Sequence, residues 1–296
     1  MGTTRLLVLS NAKAGSTDEG TRAEVLQALR TGADVVTVTP RDPADIDRHL
    51  ADHPERRPVA LGGDGTLHLL VAALYARGEL ASCAVGLVPL GTGNDVARTL
   101  GIPLDPVAAA AVVLDGRDRE LDALVGDDGR IVINAIHLGV GARGSQDARP
   151  LKPWLGHRAY RIGALIAGLR TRGWPVTVIV DGRQLCDGRR RALMIGIGNG
   201  RSIGGGTPLT PHALPDDGLA DVVVSTATGP LSRLSYGWRL RGGRHEEMRQ
   251  VVAGRGRVVS VSGPPLPINS DGELGAEITR RTWTVAPRAW RITVPR

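Results

Sequence analysis

Hydrophobic positions in the first third of the chain form short apolar runs, and most of them are separated by stretches with helical spacing. The runs of strand length are residues 5–9, 33–38, 58–61 and 85–88. Segments with helix signals are residues 17–29, 43–53, 66–75 and 94–100. Regular alternation of strand and helix is typical of a parallel sheet with helices on both faces. The pattern therefore predicts an α/β domain over residues 1–121.

The pattern changes after about residue 121, where strands follow one another with turn residues between them. The predicted strands are residues 131–137, 176–180, 192–197 and 219–225. Val176, Val178 and Val180 alternate with other positions, as in a half-buried strand. Helix signals are few, at 157–169 and 230–241. The sequence predicts a β-sandwich-like second domain over residues 122–282.

Composition adds limits to the partners that we expect. A hydrophobic fraction of 42% is enough for a packed core, and the net charge of +7 rests almost entirely on arginine. Excess arginine favours anionic partners such as a nucleotide or a phospholipid surface, whereas no motif supports nucleic-acid binding. The longest uncharged apolar run, residues 107–114, is too short to span a bilayer, so any membrane contact should be peripheral. Two isolated cysteines fit a reducing cytoplasm.

Three glycine-containing turns follow predicted parallel strands. They are Asn11-Ala12-Lys13-Ala14-Gly15, Gly62-Gly63-Asp64-Gly65-Thr66 and Gly91-Thr92-Gly93-Asn94-Asp95. Ligands of open α/β sheets bind outside the carboxyl ends of the strands. Glycine lets the backbone approach a phosphate closely, and the following helix offers free N–H groups. The turns therefore predict a phosphate-binding edge that is neither a Walker loop nor a G-x-G-x-x-G fingerprint.

Geometry places the second and third turns at one site. One helix and one strand separate them, and a right-handed crossover brings both turns to the same sheet edge. Asp64, Asn94 and Asp95 should then face a common ligand. A carboxylate inside a phosphate-binding turn is consistent with Mg²⁺ bridging it to the phosphates.

These motifs resemble those of the diacylglycerol kinase catalytic family, which includes sphingosine and ceramide kinases. The three glycine turns match its nucleotide motifs, in order along the chain. Later matches are residues 198–200, 204–206, 216–219 and Asp271-Gly272-Glu273. The family often has Asn-Glu where His68 and Leu69 stand here, so neither side chain is given that role.

The resemblance implies a two-domain fold and an ATP site. The fold would be an NAD kinase-like α/β domain, completed by residues 283–296, with a β-rich acceptor domain. The implied ATP-site residues are Asn11, Ala12, Lys13, Ala14, Gly15, Thr39, Gly63, Asp64, Gly65, Thr66, Thr92 and Asn94. Residues 152–160 resemble the family's helix near the acceptor.

Catalytic and metal residues are implied in the same way. Asp217, with the main-chain carbonyls of Leu214 and Leu219, would hold a structural Mg²⁺. Glu273 or Asp271 would remove the proton from the acceptor hydroxyl, a choice that the sequence leaves open. Asp64 and Asp95 would act beside the phosphates.

The expected function is that of an ATP-dependent lipid kinase acting on diacylglycerol or a similar lipid alcohol. We also consider a kinase of the same fold acting on a small soluble alcohol, and a non-catalytic nucleotide-binding regulator. Expected cofactors are ATP and Mg²⁺. Expected partners are the acceptor lipid and the anionic inner surface of a membrane, with a homodimer left open.

Overall fold

The computed structural model describes residues 4–10, 19–142 and 172–296. The chain forms two compact units. The first contains Met1–Ala123, Gly204–Gly206 and Pro287–Arg296, and the second contains Leu124–Ile203 and Thr207–Ala286. The predicted helix at residues 157–169 and the predicted turn at residues 11–15 lie outside the described residues.

Strands and helices alternate in the first unit. Its strands are β1 (Thr4–Ser10), β2 (Ala33–Val38), β3 (Arg57–Gly62) and β4 (Ala84–Pro89). Its helices are α1 (Glu19–Arg30), α2 (Pro43–Asp52), α3 (Asp64–Ala76), α4 (Asp95–Leu100) and α5 (Pro106–Asp115).

The second unit is built mainly of strands. They are β5 (Arg117–Gly126), β6 (Ile131–Val132), β7 (Ala135–Gly139), β8 (Trp174–Val180), β9 (Arg183–Ala192), β10 (Met194–Gly198), β11 (Ser202–Ile203), β12 (Thr207–Pro208), β13 (Ala220–Ser225), β14 (Val251–Gly256), β15 (Val258–Leu266), β16 (Ile268–Ser270), β17 (Glu273–Leu274) and β18 (Ile278–Val294). Helix α6 (Pro230–Arg241) and a 3-10 helix at His245–Glu247 follow β13. Strand β5 begins in the first unit, and β18 ends there.

The sheet of the first unit is parallel, in the order β2-β1-β3-β4, followed by the end of β18. The inner strands β1, β3 and β4 are mainly apolar and buried, as in parallel sheets that helices cover on both faces. Leu6, Leu7 and Val8 of β1 are fully buried, as are Val59 and Ala60 of β3. The carboxyl ends of β1 to β4 consequently meet at one edge of the sheet.

The starts of α2 and α5 in this unit follow local capping chemistry. Asp42 and Asp105 accept a backbone N–H three residues later, from Asp45 and Ala108, and each precedes a proline at the first helical position. The helix over residues 106–115 is one that the sequence analysis did not predict. The N-cap Asp105, followed by Pro106, is the sequence feature that indicates its start.

Two antiparallel layers form the second unit. One sheet has the order β14-β13-β10-β7-β16-β17, and β18, β15, β8 and β9 pair in the other. Val178 and Val261 of the second sheet share a core with Ile136, Ile195 and Val222 of the first. Helix α6 packs on the other side of the six-stranded sheet, where Tyr236 joins a smaller core.

The observed classes of structure agree with the expected fold. An α/β unit precedes a β-sandwich-like unit, so the predicted fold class is confirmed. The predicted strand pattern of the second unit is coarser than the observed one, since residues 131–137 break into two strands at a turn. Among the described residues, no helix is both long and apolar enough to cross a membrane.

Candidate active site

The second and third glycine turns touch each other at the ends of β3 and β4. A Cβ added to Gly91 would lie 2.4 Å from the Cα of Gly63, and one added to Gly63 would lie 2.9 Å from the Cα of Gly91. The Leu90 N–H donates to the Gly62 carbonyl at 2.9 Å. Side chains larger than hydrogen would force the turns apart, so glycine at both positions is a packing requirement.

Asn94 fixes the shape of the third turn. Its backbone is left-handed, with φ of 52°, a conformation that asparagine adopts more readily than most residues. The side-chain Oδ1 accepts the Gly91 N–H at 3.1 Å, and Nδ2 donates to the Gly91 carbonyl at 2.7 Å. Asn94 is buried and is therefore a structural part of the turn.

Asp64 connects the two turns. It occupies the first helical position of α3, where the helix dipole favours a negative charge. Its two carboxylate oxygens accept the N–H groups of Asp95 and Val96, at 3.0 and 3.1 Å. These are the first N–H groups of α4, which lack partners inside that helix. Asp64 thus holds the start of α4 beside the start of α3.

Asp95 extends this connection to a segment far along the chain. Its carboxylate accepts the N–H groups of Gly205 and Gly206 at 2.9 and 2.8 Å, and only 4% of the residue is exposed. Gly204, Gly205 and Gly206 all have positive φ, which explains a run of three glycines. Because of these bonds, residues 204–206 belong to the first unit, although the predicted boundaries place them in the second domain.

Other predicted ATP-site residues lie along the same sheet edge. Thr39 follows β2 and is exposed, and Thr92 follows β4 and is also exposed. Thr66 in the first turn of α3 lines a small cavity of about 30 Å³ with Leu9 and Ser10 at the end of β1. Residues Asn11, Ala12, Lys13, Ala14 and Gly15 lie outside the described residues, so their part in the site stays a prediction.

Arg98 is a candidate that the sequence analysis gave no role. Its Nε donates to the Gly93 carbonyl at 3.2 Å, and its side chain is exposed beside Gly206. A guanidinium there supplies positive charge next to two carboxylates and a glycine-rich backbone. The spacing Asn94-Asp95-x-x-Arg98 places Arg98 one helical turn after the glycine-rich turn, and this spacing could have indicated a role in the site.

The two carboxylates of the acidic turn Asp271-Gly272-Glu273, in the second unit, differ in burial and in their hydrogen bonds. Asp271 is 8% exposed and has a left-handed backbone with φ of 49°. Its carboxylate accepts three backbone N–H groups, from Ile133 at 2.8 Å, Asn134 at 2.9 Å and Ala135 at 3.0 Å. Glu273 begins β17 and is exposed. Asp271 therefore anchors the turn between β6 and β7, and Glu273 is the carboxylate open to a ligand.

The proposed metal residues show a competing contact. Asp217 pairs through Oδ2 with the guanidinium of Arg255, and its Oδ1 accepts the Leu219 N–H at 3.0 Å. Arg255 also binds Asp221 through Nε at 3.1 Å. No group of three or more acidic, histidine or cysteine side chains in the described ranges is placed to hold a metal. Asp217 is thus paired with Arg255, and a structural Mg²⁺ held by Asp217 and the main-chain carbonyls of Leu214 and Leu219 stays a prediction.

The fold and site together define a class of protein. It combines an α/β unit, whose glycine turns meet at the carboxyl edge of a parallel sheet, with a β-sandwich unit that presents an acidic turn. Sequence comparison gives the family. The profile of the diacylglycerol kinase catalytic domain matches residues 5–125, and that of the YegS C-terminal NAD kinase beta sandwich-like domain matches residues 134–294.

Relatives match over nearly the full length. A probable lipid kinase YegS-like protein of Stenotrophomonas maltophilia (strain K279a) is 34% identical and covers 92% of this chain and 91% of its own. A protein of the same description from Pseudomonas aeruginosa (strain UCBPP-PA14) is 35% identical, over 98% and 94%. The chain therefore belongs to the YegS-like family, which joins these two domains.

Solved structures share the fold at low identity. One chain from Bacillus anthracis str. Sterne has a TM-score of 0.79 at 19% identity and covers 98% of this chain and 95% of its own. Another from the same strain, described as a diacylglycerol kinase, has a TM-score of 0.71 at 18% identity, over 98% and 96%. At this identity the likeness concerns the fold alone.

Proposed function

We propose that the chain is an ATP-dependent kinase that phosphorylates the hydroxyl of diacylglycerol or a similar lipid alcohol. The observation that carries the proposal is the pair of touching glycine turns that Asp64 joins to α4. Such a pair gives a close-packed, glycine-rich backbone surface at the sheet edge where ligands of α/β folds bind. Family membership supports the same reading.

On the nucleotide side, the phosphates of ATP would lie against the backbone of the two turns. Gly65 and Thr66 stand in the first turn of α3, whose dipole favours an anion. Arg98 adds a guanidinium, which suits phosphate oxygens. Mg²⁺ enters as part of the substrate Mg-ATP, where it neutralises phosphate charge. Asp64 and Asp95 would act chiefly as positioning residues, because their oxygens accept backbone N–H groups.

On the acceptor side, Glu273 would be the general base. Its carboxylate takes the proton of the acceptor hydroxyl, the hydroxyl oxygen forms a bond to the γ-phosphorus, and the bond from that phosphorus to the bridging oxygen breaks to release ADP. A base in this role must be accessible, as Glu273 is. Asp271 would position it by holding the neighbouring turn through three backbone hydrogen bonds.

A lipid acceptor is favoured because the full-length relatives are named probable lipid kinases. The test is a panel of acceptors with γ-labelled ATP and Mg²⁺, containing dispersed diacylglycerol, other lipid alcohols and small soluble alcohols. We expect label in a lipid product, identified by mass spectrometry. Label only in a soluble alcohol would replace the lipid acceptor, and nucleotide binding without transfer to any acceptor would favour a regulator.

A further inference from the structure

In the part of the chain that the structure describes, helix α6 has an apolar face that stays exposed. Leu231 is 82% exposed, Leu234 58% and Trp238 71%. Their spacing of three and four residues puts them on one side of the helix. Tyr236 and Leu240 lie on the other side, within the smaller core. A helix that is apolar on both sides is normally buried on both. The exposed side therefore needs a partner.

The positive charge around this face favours an anionic partner. Residues 230–250 contain five arginines and two glutamates, a net charge of +3, and α6 itself has no acidic residue. Arg241 continues the exposed side at its carboxyl end and is itself exposed. Both Arg239 and Arg244 pair with Glu247, which leaves the surface basic in sum. An apolar strip with a cationic border is complementary to an anionic surface with an apolar interior.

We propose that the exposed face of α6, formed by Leu231, Leu234, Trp238 and Arg241, docks the protein on an anionic lipid bilayer. Trp238 and the leucines would enter the boundary between headgroups and acyl chains, where tryptophan is favoured. Arg241 would reach lipid phosphates with its guanidinium while its stem stays against apolar surface. The proposal deepens the proposed function, since it brings the enzyme to the phase that contains a lipid acceptor.

A second copy of the chain is a poorer occupant. Three side chains cover roughly half of the ~800 Å² per partner that a stable protein interface buries. In a two-fold contact both partners use the same patch, so each would bring the net positive charge of residues 230–250 to the interface. Electrostatic attraction between the excess arginine and an anionic surface would not suffice by itself, because it would leave the apolar strip in water.

Co-sedimentation with vesicles tests the surface without nucleotide. Vesicles of phosphatidylglycerol and phosphatidylcholine should bind the wild type, and the partition coefficient should fall at least about tenfold for Leu234→Ser/Trp238→Ser. The matched control is Leu104→Ser/Val107→Ser, which removes two exposed apolar side chains from the first unit. Arg241→Gln should weaken binding to anionic vesicles, whereas Arg117→Gln, a change at an exposed arginine elsewhere, should not. Equal binding by wild type and Leu234→Ser/Trp238→Ser would overturn the proposal.

Fluorescence adds a readout that folding defects do not imitate. Brominated acyl chains should quench the emission of Trp238 in bound wild type. Trp238→Leu keeps an apolar side chain, so it should retain vesicle binding, and the quenching that it loses is the share of Trp238 among the five tryptophans of the chain. Of the others, Trp283 and Trp290 are buried and Trp174 is half-buried. A dimer that dissociates when Leu234 and Trp238 become serine would identify a second copy as the occupant and overturn the lipid assignment.

Failure of the docking surface can be separated from failure of the kinase. Transfer to a monomeric short-chain diacylglycerol should be unchanged in Leu234→Ser/Trp238→Ser. If a protein without transfer activity still binds vesicles through α6, the docking proposal is supported and the kinase proposal is contradicted. If the protein transfers phosphate to the short-chain acceptor but does not bind vesicles through α6, the kinase proposal is supported and the docking proposal is contradicted.

Discussion

Asp271 and Glu273 are two residues apart but have different surroundings. Asp271 is buried against three backbone N–H groups, while Glu273 is exposed at the start of β17. The sequence predicts an acidic turn but cannot choose between the two carboxylates, because the N–H groups that bind Asp271 come from residues more than 130 positions earlier. At the residue scale, long-range backbone contacts decide the role of a side chain.

The different surroundings of the two carboxylates predict different defects for Glu273→Gln and Asp271→Asn. Glu273→Gln should keep the melting temperature and ATP affinity of wild type and lower phosphate transfer about 10²–10⁴-fold, as loss of a general base does. Asp271→Asn should lower the free energy of unfolding by about 1–3 kcal/mol, because its amide group cannot accept from the Ile133 N–H. Thermal denaturation, nucleotide titration and transfer assays measure the three quantities. Wild-type transfer by Glu273→Gln would remove it as the base.

In the first unit, the turns that follow β3 and β4 pack against each other at glycine residues. The turns after β3 and β4 are in contact at Gly63 and Gly91, whereas a Cβ on Gly65 would touch none of the residues that the structure describes. Each glycine is equally visible in the sequence, but only the packing of neighbouring strands shows which one is required. The pairing of Asp95 with Gly205 and Gly206 was beyond sequence reasoning for the same reason, as it joins segments 110 or more residues apart.

Alanine substitutions should separate the two kinds of glycine. Gly91→Ala should destabilise the protein by about 1–3 kcal/mol, because the new methyl group meets the backbone of Gly63. Gly65→Ala is the matched control in the same site. Its Cβ would meet no atom of the described residues within 4 Å, so stability should be unchanged or rise by up to ~1 kcal/mol, as alanine is the better helix former. Denaturant unfolding of both variants checks this, and equal stabilities would contradict the contact between the turns.

Local signals predicted other elements well. Pro230 and the pattern after it gave α6 with the observed bounds, and the apolar runs gave the parallel strands within one or two residues. Helix α5 was missed because its alanine-rich sequence has no amphipathic pattern, despite the cap at Asp105. Periodicity reports a half-buried element best, and α5 combines fully buried with exposed alanines and valines.

The whole molecule should respond to acid through buried histidine. His137 on β7 is 7% exposed, and burial lowers its pKa to about 4. Burial also lowers the pKa of His245, which is fully buried against Tyr236. An unfolded histidine titrates near ~6.5. Below that pH the unfolded chain binds a proton that the folded protein does not, so stability is present above ~6.5 and is lost as the pH falls towards 4.

His137→Gln should therefore flatten the dependence of stability on pH. Between pH 6.5 and 4, the free energy of unfolding of wild type should fall by up to about 3 kcal/mol more than that of the variant. His212→Gln, at a side chain that is 77% exposed, is the control and should follow wild type. Chemical denaturation across the pH range gives both curves. Parallel curves for wild type and His137→Gln would show that burial of this ring does not set acid stability.

We expect the joined glycine turns to support phosphate transfer from Mg-ATP to a lipid alcohol. The initial rate of label transfer from γ-labelled ATP to diacylglycerol, compared among wild type, Asp64→Asn and Asp105→Asn, tests this expectation. Both substitutions exchange a carboxylate for an amide at the start of a helix, but only Asp64 holds α4 beside the second turn. We predict labelled lipid from wild type and Asp105→Asn, and a rate at least about 10²-fold lower for Asp64→Asn. Folded Asp64→Asn that transfers at the wild-type rate, or folded wild type that labels no lipid, would contradict the account.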